Sequence, residues 1–197
     1  TADLRPSTVE NTPPALAPDD DALTVLAAVL GSGRRSRFYE NLVRQQALTS
    51  GVTASSTGNR GPGLFRVGST ALPGKSIADL EKGIYAEIEK AKTGTIEPWE
   101  LEKARNNWKR NMATNLGSSL SRAISLGRYA LFWDDPNLIN TYADRIMAVK
   151  PADIQRVAKQ YLVETNRTVV ITMPKAAAGL PGRLRAARAS ASLADAL

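Results

Sequence analysis

Residues 20–39 read DDALTVLAAVLGSGRRSRFY, and the plan of the fold can be worked outward from this stretch. Asp19, Asp20 and Asp21 put anions at a helix N-terminus, where the backbone dipole favours them. Leu23, Leu26, Ala27 and Leu30 follow at three- and four-residue steps as an apolar stripe, and Gly31 to Gly33 end the helix. A second helix is expected from Ser36 to Leu48, with Phe38, Leu42 and Val43 turned inward. The segment Gly31-Ser32-Gly33-Arg34-Arg35-Ser36 has the glycines of a phosphate-binding loop. It lacks the lysine and follows a helix instead of a strand, so it reads as a turn between helices with a basic flank.

Beyond this stretch the period changes from helical to alternating. Val52, Ala54 and Ser56 form one strand, and Phe65, Val67, Ser69 and Ala71 a second, joined by the glycine-rich turn Gly58 to Gly63. Ser76 and Asp79 have capping-box spacing and open a helix whose face is Ile77, Leu80, Ile84, Ile88 and Ala91. Gly94 closes it. Pro98 suits the first turn of the next helix, striped by Leu101, Ala104, Trp108, Met112 and Leu116. Further helices are expected over Ser119 to Phe132, Asn137 to Val149 and Pro151 to Leu162, then a strand from Thr168 to Met173. Helices, a hairpin, a helical block and a closing strand make an α+β domain, an antiparallel sheet backed by several helices. Trp99, Trp108 and Trp133 are expected as core anchors.

The flanks differ from this middle. Residues 1–18 are rich in Pro, Thr and Asp, with only Leu4, Val9 and Leu16 as bulky apolars, and read as a linker or an incomplete first strand. The domain proper is placed at 19–174. Residues 175–197 are a low-complexity mixture of Ala, Arg, Ser and Gly, expected to be disordered.

Composition excludes most catalytic chemistry. The 197 residues contain no His and no Cys, so a Ser-His-Asp triad, a Cys-His dyad, an imidazole or thiolate zinc site and a disulfide are all ruled out. No Ser stands three residues before a Lys, which removes the dyad that works without histidine. Catalytic and metal residues are therefore expected to be none. No apolar stretch approaches the length of a membrane span. The net charge of +7 raises nucleic acid as a partner, but acidic residues interleave with the basic ones, and the tight cluster is only Arg34, Arg35 and Arg37. No aromatic residues alternate with that cluster, so nucleic-acid binding stands as the least favoured class.

One ordered set of segments resembles a known family. Asp20 to Leu26, Leu30 to Tyr39 and Leu42-Val43-Arg44 are similar to a signature of the pitrilysin/insulinase zinc metallopeptidases, in the form found in their C-terminal, non-zinc-binding halves, as in mitochondrial-processing-peptidase-like proteins. The likeness continues through Gly63-Leu64-Phe65, Glu100 to Ala104, Arg122-Ala123, Asp135-Pro136, Ala152-Asp153-Ile154, Ala158 to Leu162 and Asn166 to Val170. It covers 14–174.

The resemblance implies a half-module that pairs with a homologous half carrying an inverted zinc motif, His-x-x-Glu-His, to enclose a chamber where peptides are cut. Zinc belongs to that partner, on the same precursor or a separate subunit, and this chain holds none. A homo-oligomer also fits the family. Bacterial relatives are often exported, which makes the periplasm the expected compartment for a bacterial chain. The matching half normally contributes an Arg and, seven residues later, a Tyr that hydrogen-bond the substrate or its oxyanion. Alignment on Leu48 puts Val43 and Ser50 there, while a slide of one residue gives Arg44 and Gly51, so no register supplies both donors. The resemblance also implies an apolar strand before Pro18. Either the domain boundary cuts through the half, or the sheet lacks a strand and leaves an edge for another chain. The leading expectation is a non-catalytic half, or partner subunit, of a zinc peptidase. The alternative is a scaffold of the same fold with no peptidase role.

Overall fold

The computed structural model describes residues 5–173 of the chain. The disordered tail expected at 175–197 lies outside the described residues. The elements run β1 (Arg5–Thr12), α1 (Pro18–Gly31), a π-helix (Tyr39–Gln45), β2 (Thr49–Thr57), β3 (Gly63–Ala71), α2 (Ile77–Thr93), α3 (Pro98–Leu116), α4 (Ser119–Trp133), α5 (Leu138–Ala148), α6 (Pro151–Tyr161), a short 3-10 turn (Glu164–Asn166) and β4 (Arg167–Thr172). The strands pair antiparallel in the order β2-β3-β1-β4, and the fold is the α+β arrangement that the alternating periods imply.

The N-terminal segment departs from its reading as a linker or incomplete strand. Residues 5–12 form an eight-residue strand laddered on both sides, to β3 from Ser7↔Gly68 to Thr12↔Gly63 and to β4 from Arg5↔Thr172 to Glu10↔Arg167. Its side chains gave no apolar signal because the strand is held through its backbone, and because its core-facing positions are Thr8, Glu10 and Thr12, all buried. Glu10 lies opposite Phe65, and Thr8 opposite Val67, on the covered face of the sheet. The outer edges of the sheet are therefore β2 and β4.

α1 is the central element. It buries Val25 and Val29 as well as the expected Leu23, Leu26, Ala27 and Leu30, because β2 lies against it and α3, α5 and α6 surround it. Gly31 permits the closest approach: a Cβ built there would lie 2.3 Å from the Ala54 backbone nitrogen of β2. Gly33 takes a φ of +79° in the turn that follows, closed by Ser36 N–H donating to Gly33 O at 3.1 Å. α2 starts as its capping spacing predicts, with Asp79 N–H donating to Ser76 Oγ at 3.3 Å, and buries Leu80, Ile84, Ile88 and Ala91.

The core thins along α3. Leu101 and Ala104 are buried and Trp108 is half-buried, but Met112 and Leu116 are only partly covered, so the α3–α4 hairpin stands out from the body. α4 buries no residue at all. Trp99 corrects the expectation of three core tryptophans: it is 49% exposed, because it lies off the Leu101–Ala104–Trp108 stripe. Trp133 is half-buried, stacked edge-on with Phe132 and tilted on Tyr129.

Candidate functional site

The positions singled out by sequence lie where the π-helix turns into β2. Phe38 and Leu42, both fully buried, anchor this segment, and a wide turn of the backbone is closed by Gln46 N–H to Asn41 O and Leu48 N–H to Leu42 O, each 2.9 Å. Ala47 takes a left-handed φ of 47° and starts the reversal into β2. Val43 is half-buried and packs against the core. Arg44 is exposed and pairs with Glu40 one helical turn back at 3.0 Å. Ser50 is exposed beside an irregularity in the β2–β3 ladder between Thr49 and Val52. There Thr49 Oγ1 donates to Thr70 O at 2.6 Å and accepts from Ser69 Oγ at 2.9 Å and from Gly51 N–H at 3.1 Å. These bonds fix the bulge, with Ser50 on its outer side. Val43 has no polar atom to offer, so of the aligned pair only the short Ser50 hydroxyl can donate a hydrogen bond.

The neighbouring basic cluster is partly consumed within the fold. Arg37 makes a bidentate pair with Glu100, Nε to Oε1 at 2.7 Å and Nη2 to Oε2 at 2.6 Å, and also donates to Thr95 O at 2.7 Å. Glu100 in turn accepts the Glu97 N–H at 2.9 Å, which closes the N-terminus of α3. Burial pushes the Glu100 carboxyl up, but the Arg37 guanidinium and the Glu97 amide together hold it below its ordinary value. Arg34 and Arg35 remain exposed. Asn41 donates to Glu87, which also receives Lys90 Nζ at 2.6 Å.

The three aspartates at the start of α1 diverge to different partners. Asp19 accepts from Arg156 at 2.7 Å and from the Tyr161 hydroxyl at 2.9 Å, both near α6, and the Arg156 hydrogen bond holds its carboxyl below the usual range. Asp20 Oδ2 accepts the Leu16 N–H at 3.1 Å. Asp21 pairs with Arg145 of α5 at 2.8 Å, and Arg145 continues to Leu16 O at 2.7 Å. Burial outweighs these contacts for Asp20 and Asp21 and raises both carboxyls. The sequence flagged these residues only as helix-dipole partners. The partners of Asp21 and Asp19 stand on α5 and α6, more than a hundred residues away, while that of Asp20 is four residues back.

The donor set does not fit zinc. The chain has no His or Cys, and among the described residues no group of three or more acidic side chains is placed to hold a metal ion. Among the described residues, no helix is long and apolar enough to cross a membrane.

Known proteins similar to this chain include zinc proteases. A zinc protease, PqqE, of Helicobacter pylori is 30% identical over 156 residues, covering 79% of this chain and 35% of that protein. The chain thus spans about a third of the length of that curated relative. The crystal structure of a protease from Helicobacter pylori superposes with a TM-score of 0.79 at 28% identity, covering 87% of this chain and 41% of the other. The inactive peptidase domain of a Bordetella parapertussis protein assigned as a zinc protease superposes with a TM-score of 0.82 at 26% identity, covering 91% of this chain and 95% of that one. The pattern that defines the Peptidase M16 inactive domain matches residues 9–108, half of the sequence, and the chain belongs to that family.

Proposed function

We propose that this domain is the substrate-confining half of a two-part zinc peptidase and docks a homologous half that carries the inverted zinc motif. The observation that carries this reading is α4. Leu120, Ile124 and Leu131 are 70%, 61% and 73% exposed on one short helix, next to exposed Leu126 and Phe132. Such a concentration of uncovered apolar side chains is the mark of an interface. The β4 edge adds Val169, Val170 and Ile171, all exposed, beside backbone that pairs with no further strand among the described residues, the kind of edge that accepts another strand. The uncovered face of the sheet carries small and polar residues, among them Thr53, Ser55 and Thr57, and serves as the chamber wall. Zinc and the water it activates belong to the partner, and this half shapes the space around the peptide.

A second reading, a scaffold with no peptidase role, draws support from Val43 and Ser50. The half-buried valine and the short hydroxyl replace two long hydrogen-bond donors, so this half contributes little to a developing oxyanion. One experiment separates the readings. The purified chain is mixed with a homologous half that carries the His-x-x-Glu-His motif, and complex formation, bound zinc and peptide hydrolysis are measured. The expected result is an equimolar complex that cleaves peptides, with far less than stoichiometric zinc in this chain alone. A complex without hydrolysis selects the scaffold. Hydrolysis by this chain alone, or failure to form any complex, overturns the proposal.

A further inference from the structure

The strand register lays out the open face of the sheet row by row. One row runs Ser55, Arg66, Val9 and Thr168 across β2, β3, β1 and β4. The next runs Thr53, Gly68, Ser7 and Val170 in the same order. Among the described side chains of this face, Arg66 alone carries a charge. Its neighbours Phe65 and Val67 are buried on the helix-covered side, so alternation along the strand points Arg66 away from the helices and their carboxylates.

Arg66 is exposed, and its guanidinium is held at one point, where Nε donates to Ser7 Oγ at 3.2 Å. The two terminal nitrogens have no acceptor among the described residues. Other arginines are used differently: Arg37, Arg145 and Arg156 each close an ion pair with a carboxylate of the fold. Beside Arg66, Gly68 leaves a gap. A Cβ built on it would meet only Thr53 Oγ1 within 4 Å, at 3.5 Å, so the space over that position is open, and its register partners Ser7 and Thr53 border it with hydroxyls.

We propose that this gap takes an acidic side chain of a peptide lying along the wall, with the carboxylate on the free edge of the Arg66 guanidinium. The planar fork of N–H groups matches the two oxygens of a carboxylate, and nothing on the page competes for it. A basic side chain is repelled there, and a neutral amide forgoes the charge. The face continues past the gap on β3, to Leu64 on one side and Thr70 on the other, so the chain can extend both ways and an internal side chain fits better than a terminus. As a substrate preference, this deepens the reading of the open face as the chamber wall and rests on it: the assembled peptidase favours peptides with Asp or Glu opposite Arg66.

Two measurements test it. In the first, the full chain labelled with nitrogen-15 is titrated with the blocked peptide Val-Thr-Glu-Thr-Val and with its central Gln and Lys counterparts, and backbone amide signals are followed. The expected result is saturable shifts centred on Ser7, Thr53, Arg66 and Gly68, with the Glu peptide at least about threefold tighter than the Gln peptide and weakened by salt. Arg66→Gln removes the preference and Arg66→Glu transfers it to the Lys peptide. Both change an exposed side chain and leave the core intact, and Gly68→Val closes the gap without touching the charge. No shifts at millimolar peptide, equal affinity for Glu and Gln, or equal binding of the Gln peptide with a free C-terminus overturns the proposal. In the second, the same peptides are offered to the complex with the zinc-bearing half, where Arg66→Gln is expected to lower kcat/KM for the Glu peptide to that of the Gln peptide. Hydrolysis whose acidic preference is missing, or survives Arg66→Gln, overturns the proposal and leaves the peptidase reading standing. Amide shifts as expected with no complex formed uphold the carboxylate site and overturn the peptidase reading.

Discussion

At the residue scale, Glu10 and Gly31 show how one position can carry a cost or a constraint that its neighbours in sequence do not announce. Glu10 is 1% exposed on an interior strand, and burial pushes its carboxyl up to about 7, against the smaller opposing pull of Arg167 and Lys92. In the unfolded chain the same group titrates near 4.5. Between these values the native state binds more protons than the unfolded state, so stability falls as pH rises through the window, and the full penalty stands above pH 7. Its size is on the order of 3 kcal/mol. Glu10→Gln is therefore expected to leave the melting temperature nearly unchanged below pH 4.5 and to raise it increasingly up to and beyond pH 7. A difference that stays flat with pH would disprove the assignment. Gly31 presents a steric limit. Gly31→Ala drives a methyl into the β2 backbone at Ala54, which cannot yield as a side chain would. The expected loss is about 1–3 kcal/mol in denaturant unfolding, and a neutral result would mean that α1 can slide on the sheet.

At the element scale, α1 and α4 are opposites. α1 is buried on nearly all sides, so it is read easily from sequence but more completely covered than a stripe suggests. α4 has an apolar content that reads as a core helix, yet none of its side chains is fully buried, and it packs only partly on α3 and α5. Leu120→Asp with Leu131→Asp is expected to change stability by no more than about 0.5 kcal/mol in thermal unfolding, because neither side chain is buried. The same pair should abolish co-elution with the catalytic half. A loss of several kcal/mol in the isolated chain would show that α4 belongs to the core. β1 teaches the complementary point: a strand of Arg, Pro, Ser, Thr, Val, Glu and Asn is legible only through the strands on either side of it.

At the scale of the whole molecule, mixing this domain with a zinc-bearing homologous half is the decisive measurement, because the proposed docking role of the exposed α4 face and the β4 edge is tested only in a complex. The domain itself was largely written in local chemistry. Ser76 before Asp79, Pro98 after Gly94, the Gly58 to Gly63 turn and the shift from three- and four-residue steps to alternation place most elements within a residue or two, since capping, backbone freedom and amphipathic period act over one or two turns of chain. The absence of His and Cys is likewise read directly from the sequence, and it removes imidazole and thiolate ligands. What the sequence could not decide depends on segments far apart along the chain. These are the burial of polar β1 between β3 and β4, the long-range partners of Asp19 and Asp21, and an aromatic recess assembled from α3, α4 and α5. Side-chain type and spacing determine which elements form, but burial and pairing are properties of the space between elements, and only the tertiary structure brings those elements together.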